Sequence, residues 1–199
     1  MAQNLELLTA DGQRKYLTSK ERQGFIAAAK DLADREKRTF CLTLAHSGCR
    51  ISEVLELDFR RVDMNAGQLV FRSLKKRDGK THHRAVPVPP DYLEALDLVH
   101  DVQGVQKQPR KRARPLWSIA RMTGYRWVVG TMELAGIEGP MARPHGLRHG
   151  FGVQALMKDI PLPLLQRWMG HADLDTTAIY LQVIGNEEKS FAGRMWEDT

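Results

Sequence analysis

Residues 144–180 read PHGLRHGFGVQALMKDIPLPLLQRWMGHADLDTTAIY. The stretch opens on His145-Gly-Leu-Arg148-His149 and closes on Gly170-His171 with Tyr180 nine residues further on. Between these ends, apolar residues recur at helical spacing in two segments. Histidine, arginine, a second histidine and a tyrosine are therefore mounted on one compact helical scaffold. Arginine and histidine stabilise and protonate phosphate oxygens, and a tyrosine hydroxyl can attack phosphorus. The stretch reads as a candidate phosphoryl-transfer site. Each residue taken alone has a plainer reading, as a structural histidine or a core tyrosine. Only their joint occurrence in order gives the functional reading weight.

Upstream of this stretch the chain reads as alternating helices and one hairpin. Residues 1–16 are polar and aperiodic and are expected to form a loose tail. Thr18 and Glu21 have the spacing of a capping box, which predicts a helix over 19–30. A second helix is expected over 38–47, with Phe40, Cys41, Leu44 and Ala45 inward and Gly48 as its stop. Arg50 then opens a short third helix, with Glu53 one turn along to hold its guanidinium. Strands are expected over 68–74 and 84–88, joined by a cationic turn, Lys75-Lys76-Arg77-Asp78-Gly79-Lys80. That turn is either a solubilising one or a finger that carries a lysine to a phosphate. A helix starting at Pro90 follows, with Tyr92, Leu93, Leu96 and Val99 inward. Lys107, Arg110, Lys111, Arg112 and Arg114 then form a basic surface loop. The loop reads equally as a solvated run or as a phosphate-backbone contact. Ser118 is expected to cap the next helix, which Gly136 ends. The pattern is one mostly helical domain with a small antiparallel β-hairpin, class α+β.

Composition narrows the partners. The net charge of +6 favours an anionic partner, and nucleic acid is the commonest, although a basic protein without such a partner has the same charge. No apolar run approaches the ~18 residues of a membrane span, and the N-terminus has no secretion pattern. Two cysteines, Cys41 and Cys49, make neither a disulfide framework nor a metal site. His145 and His149 have the spacing of a zinc-protease helix, but Gly146 stands where that motif needs its glutamate. No cofactor and no metal are expected, and the chain reads as cytoplasmic.

Taken together, Ser47-Gly-Cys-Arg50-Ile-Ser-Glu53, Pro144-His145-Gly-Leu-Arg148-His149, and Met169-Gly170-His171 followed by Thr176-Thr177-Ala-Ile-Tyr180 resemble the tyrosine recombinase, or phage integrase, family. The resemblance covers about residues 17–184. It implies the catalytic domain of that family, with Arg50 and Arg148 on the non-bridging oxygens of a scissile DNA phosphate. His145 then assists proton transfer, His171 hydrogen-bonds the phosphate, and Tyr180 is the nucleophile. Lys75, with adjacent Lys76 as the alternative, takes the place of the lysine that protonates the leaving 5′ oxygen. His149 reads as structural.

The resemblance also implies site-specific recombination through a 3′-phosphotyrosine link, without ATP or metal and without a small-molecule substrate. Double-stranded DNA is the expected partner, with the protein nucleoid-associated and a homotetramer on DNA. The short segment before the first helix leaves out the family's N-terminal clamp domain, as in a natural short recombinase or a shortened form. Residues 185–199 are expected to form a tail helix, packed on its own domain or exchanged between subunits. Two alternatives share the chemistry or the fold: a type IB topoisomerase and a DNA-binding accessory protein. A basic protein that binds DNA without preference is a third.

Overall fold

The computed structural model describes residues 7–73, 82–183 and 186–194. Lys75 and Lys76 lie outside them. Helix α1 (Ser19–Lys30) starts at the expected capping box: Thr18 Oγ1 accepts from the Glu21 N–H, and the Thr18 N–H donates to Glu21. Helix α2 (Arg35–Ser47) begins three residues earlier than its apolar face suggested, because the Asp34 side chain caps it by accepting from the Lys37 N–H. It ends at Gly48 in the left-handed conformation. Phe40, Cys41, Leu44 and Ala45 of α2 are all buried, so this helix runs through the main core.

The short helix α3 (Ile51–Leu55) leads into a three-stranded antiparallel sheet of order β1-β2-β3, with β1 Val62–Asp63, β2 Gln68–Ser73 and β3 His82–Pro87. Leu69 pairs with Val86 and Phe71 with Arg84, which puts these residues on the buried face. Helices α4 (Pro90–His100) and α5 (Val102–Gln106) follow, then a turn over 107–114 and helix α6 (Arg121–Leu134). The residue capping α6 is Ala120, not Ser118, and no side chain bonds its first turn. Ser118 sits too far ahead because Leu116 and Trp117 are drawn inward. Trp117 is buried edge-on to Phe40 and donates its indole N–H to the Glu36 carbonyl. The remaining helices are α7 (Pro144–Met157), α8 (Leu162–Met169), α9 (Asp175–Ala178) and α10 (Asn186–Gly193).

A second, smaller core lies under the C-terminal half of α7. Val153, Leu156, Leu165, Met169, Tyr180 and Val183 build it together with Leu7 and Tyr16. The expected loose tail is therefore packed over residues 7–16. Leu8 and Arg14 form an antiparallel bridge, and Arg14 donates both guanidinium nitrogens to Glu21 at 2.8 and 2.9 Å. The segment looks polar, but Leu7 and Tyr16 close this second core. At the other end, α10 rests on its own chain through Arg194, which donates to the Asp159 carboxylate and the Met157 carbonyl.

Candidate active site

The left-handed turn at Gly48 swings the chain out of α2 and leaves Arg50 as the cap residue of α3. The Arg50 N–H donates to Glu53 at 2.7 Å and its guanidinium to the same carboxylate at 3.3 Å, as the three-residue spacing predicted. Glu53 has a stronger partner that the sequence reading did not single out. Arg84 of β3 donates to it through two nitrogens at 3.0 and 2.6 Å, and through Nε to the Trp168 carbonyl at 2.7 Å. Both side chains of this pair are buried. Burial alone would raise the Glu53 carboxyl, but the hydrogen bonds and charge of Arg84 hold it below the usual carboxylate range. The forked pair fixes strand, short helix and α8 to one another. A signal for it existed: Arg84 falls in the inward phase of a strand whose next inward residue is Val86. A charged residue in an apolar phase requires a buried counter-charge.

Arg148 reaches back from α7 to the same place. Its Nη1 donates to the Gly48 carbonyl at 2.6 Å, and its Nη2 to the Met169 carbonyl at 2.6 Å and to Nε2 of His171 at 2.9 Å. Arginine only donates, so His171 Nε2 must accept, and the ring proton sits on Nδ1, which then donates to Thr177 Oγ1 at 2.9 Å. Burial, reinforced by Arg148 and Arg50, pushes His171 down to about 2. Burial also pushes Arg148 down to about 10, which leaves it charged at neutral pH.

These groups surround a hollow of about 390 Å³ walled by Arg50, Arg121, His145, Arg148, His171 and Thr176. Arg121, at the start of α6, is an exposed cation that the sequence reading did not include. His145 is lowered by burial and then by the charges of Arg148, Arg143, Arg50 and Arg121. Among the described residues the hollow thus gathers three arginines, while the one carboxylate in its wall, Glu53, is already paired with Arg84. Such a site attracts an anion with several oxygens, and a bound anion would raise the depressed histidines toward protonation. Among the described residues no group of three His, Cys, Asp or Glu is placed to hold a metal ion.

Tyr180 is close by but behind the wall. It lies in a helical turn over Ile179–Leu181, fully buried, with its ring stacked 6.1 Å from His171. Its hydroxyl is 3.4 Å from Nδ1 of His149. His149, read from the sequence as structural, therefore touches the candidate nucleophile. Burial pushes it down to about 3, with Arg148 adding to the effect, so it is neutral. Burial pushes the Tyr180 phenol up to about 12, against the opposing pull of Arg148 and Arg50. The structure brings Arg50, His145, Arg148 and His171 into one wall and holds Tyr180 one layer beneath it.

This geometry has relatives. A tyrosine recombinase of Thermosipho africanus is 27% identical over 87% of this chain, which spans 59% of that relative's length. The type 1 fimbriae regulatory protein FimE of Escherichia coli is 29% identical over 93% of this chain and 92% of its own length. The solved structure of XerH site-specific recombinase bound to difH substrate, a pre-cleavage complex, shares the fold. Its TM-score is 0.71 at 20% identity, over 96% of this chain and 60% of that one. The model of the phage integrase family matches residues 15–187, and this chain belongs to that family, the tyrosine recombinases.

Proposed function

We propose that this protein is a site-specific DNA recombinase that cleaves and rejoins strands through a phosphotyrosine link on Tyr180. The observation that carries the reading is the hydrogen bond from Arg148 to the Gly48 carbonyl, across 100 residues of sequence. It joins the two arginine motifs into one anion-binding wall with His145 and His171. In the reaction, Arg50 and Arg148 neutralise the charge that builds on the non-bridging oxygens of the scissile phosphate. Tyr180 Oη attacks phosphorus, its proton passing to His145, and the P–O5′ bond breaks. Lys75, or Lys76 beside it, supplies the proton that the 5′ oxygen takes up. The 5′ hydroxyl of a partner duplex then attacks the phosphotyrosine and releases Tyr180. The phosphodiester bond energy stays in the covalent link, so neither ATP nor a metal enters the balance.

Two rearrangements precede attack. The Tyr180 hydroxyl leaves His149 for the hollow, and phosphate oxygens take over donors that Arg148 now gives to His171 and the two carbonyls. XerH is solved on its difH substrate and the Tn1549 transposon integrase on circular intermediate DNA, and double-stranded DNA is the substrate proposed here, with a homotetramer as the working assembly and the nucleoid as the place of action. The buried position of Tyr180 also favours a second reading, a DNA-binding accessory protein with an idle tyrosine.

A nicked suicide substrate separates the two. The wild type should form a denaturation-resistant protein–DNA adduct that Tyr180→Phe does not form. An adduct with Tyr180→Phe would overturn the nucleophile, and specific binding without any adduct would favour the accessory protein.

A further inference from the structure

Away from the hollow, the turn over 107–114 carries a set of cations that the proposed chemistry does not use. Lys107, Arg110, Lys111 and Arg112 are exposed, and among the described residues none of them is in an ion pair. The nearby carboxylates already have other partners: Asp58 takes Arg60 at 2.6 Å, and Asp63, beside Lys107 and Arg112, takes the Ala66 N–H at 2.9 Å.

The turn is not loosely attached. The N–H groups of Lys111 and Arg112 donate to the Gln108 carbonyl at 3.0 and 3.1 Å. Gln106 ties the start of the turn to the Phe59 and Val62 carbonyls at 2.8 and 2.7 Å. Pro115 bridges to Asp58, the Leu116 N–H donates to the Leu57 carbonyl at 2.9 Å, and Arg114 stacks over Phe59. The backbone of the turn is therefore ordered before binding, and only the side chains lose freedom at that moment.

The charges do not converge on one point. They spread over a surface, and Lys107 and Arg112 share an open hollow with Arg60. That spread suits a polyanion and not a small anion. The patch is also continuous with the site. Helix α3 has Arg50 at its N-terminal edge in the active hollow, while Leu55 and Glu56 at its other end border Arg61, Arg72, Ala113 and Pro115. Five helical residues rise only about 7.5 Å, so the end of the turn, at Ala113 and Pro115, borders the far end of the short helix whose near end carries Arg50.

We propose that the turn over 107–114 is a second DNA surface that holds the phosphate backbone of the duplex flanking the cleavage site, without reading bases. The proposal rests on DNA being the substrate of the hollow. The test is the triple variant Arg110→Gln, Lys111→Gln, Arg112→Gln, with binding to a long random-sequence fluorescent duplex measured across a salt series. Each lost phosphate contact lowers the salt slope of log K by about 0.9, so the slope should shrink by roughly 2–3. Affinity at low salt should fall about tenfold or more, with the thermal melt unchanged. An unchanged slope overturns the surface, as does competition by polyglutamate that equals competition by unlabelled duplex. Failure of the recombinase reading has a different signature: the wild type forms no adduct with nicked DNA, yet the variant still shows the reduced slope, and the surface stands.

Discussion

Nη2 of Arg148 donates to Nε2 of His171 across 2.9 Å, with both side chains buried. This bond makes His171 an acceptor and turns its remaining proton toward Thr177. The same guanidinium serves the Gly48 and Met169 carbonyls, so one side chain ties the His171 ring to two other segments of the chain.

Arg148→Lys keeps a charge but loses the planar fork, and a single ammonium cannot serve all three acceptors in these directions. Each buried acceptor left unmet costs about 1–3 kcal/mol. The urea midpoint should fall clearly, and the adduct with nicked DNA should disappear. A lysine variant with an unchanged midpoint would mean that these bonds do not hold the three segments together.

Gly152 lets the candidate nucleophile lie where it does. A Cβ on residue 152 would stand 2.6 Å from the Tyr180 ring. Gly152→Ala should cost about 1–3 kcal/mol through overpacking and push the ring out of its slot. Nitration followed by peptide mass spectrometry reads this directly. Tyr180 should resist tetranitromethane in the wild type and react in the variant. Protection in both would show that the ring leaves its slot by another route.

Glu53→Gln removes the charge that Arg84 and Arg50 share. Breaking a buried pair from one side leaves a guanidinium without its counter-ion and costs about 3–5 kcal/mol. Thermal unfolding should show the loss. Arg84→Met, which removes the strand's charge while keeping its bulk, should recover part of it when combined with Glu53→Gln. No recovery in the double variant would sink the pairing as the source of the stability.

Acid should weaken the fold before any carboxylate titrates. His149 and His171 are held down to about 3 and about 2, against a value near 6.5 in the unfolded chain. Their folded values are depressed, so the unfolded chain binds more protons between those limits. Stability is then complete above about pH 6.5 and declines as pH falls, by up to about 1.4 kcal/mol per pH unit for each histidine. Urea midpoints at pH 7 and pH 5 test the sign. A midpoint that holds or rises at pH 5 contradicts it. Glu21 is held down to about 2 by its hydrogen bond from Arg14, so its contribution is full above the ordinary carboxylate value and is lost as pH falls from there to about 2.

Gly146 shows a second use of a missing side chain. The sequence suggests a flexible start to α7, but a Cβ there would meet the Met141 carbonyl oxygen at 2.0 Å. Gly146→Ala should therefore destabilise the protein by more than the helix preference of alanine, about 1 kcal/mol, can return. A stabilised variant in thermal unfolding would refute the close approach.

Much of this was legible beforehand because its causes are local. The Thr18 and Glu21 capping box, the stop at Gly48 and the period of α7 and α8 depend on residues a few positions apart. So does the grip of Glu53 on Arg50. Other features have partners far away. Leu7 and Tyr16 look like part of a polar tail until α7 and Tyr180 give them a core to close. Arg84 is one more strand cation until Glu53, 31 residues earlier, meets it.

The sequence by itself determined which candidate groups the chain carries and their order: Arg50, then His145 and Arg148, then His171, with Tyr180 nine residues behind. Side-chain identity fixes which groups can bind an anion and which can attack it. Tertiary structure decided where those groups stand. It placed Tyr180 behind the wall on His149, paired Arg148 with carbonyls from two other segments, and added Arg121 to the rim. The physical reason is that desolvation and hydrogen-bond partnership belong to the packed environment. Burial moves His171 and Tyr180 far from their ordinary protonation behaviour, and only the fold determines which residues are buried together.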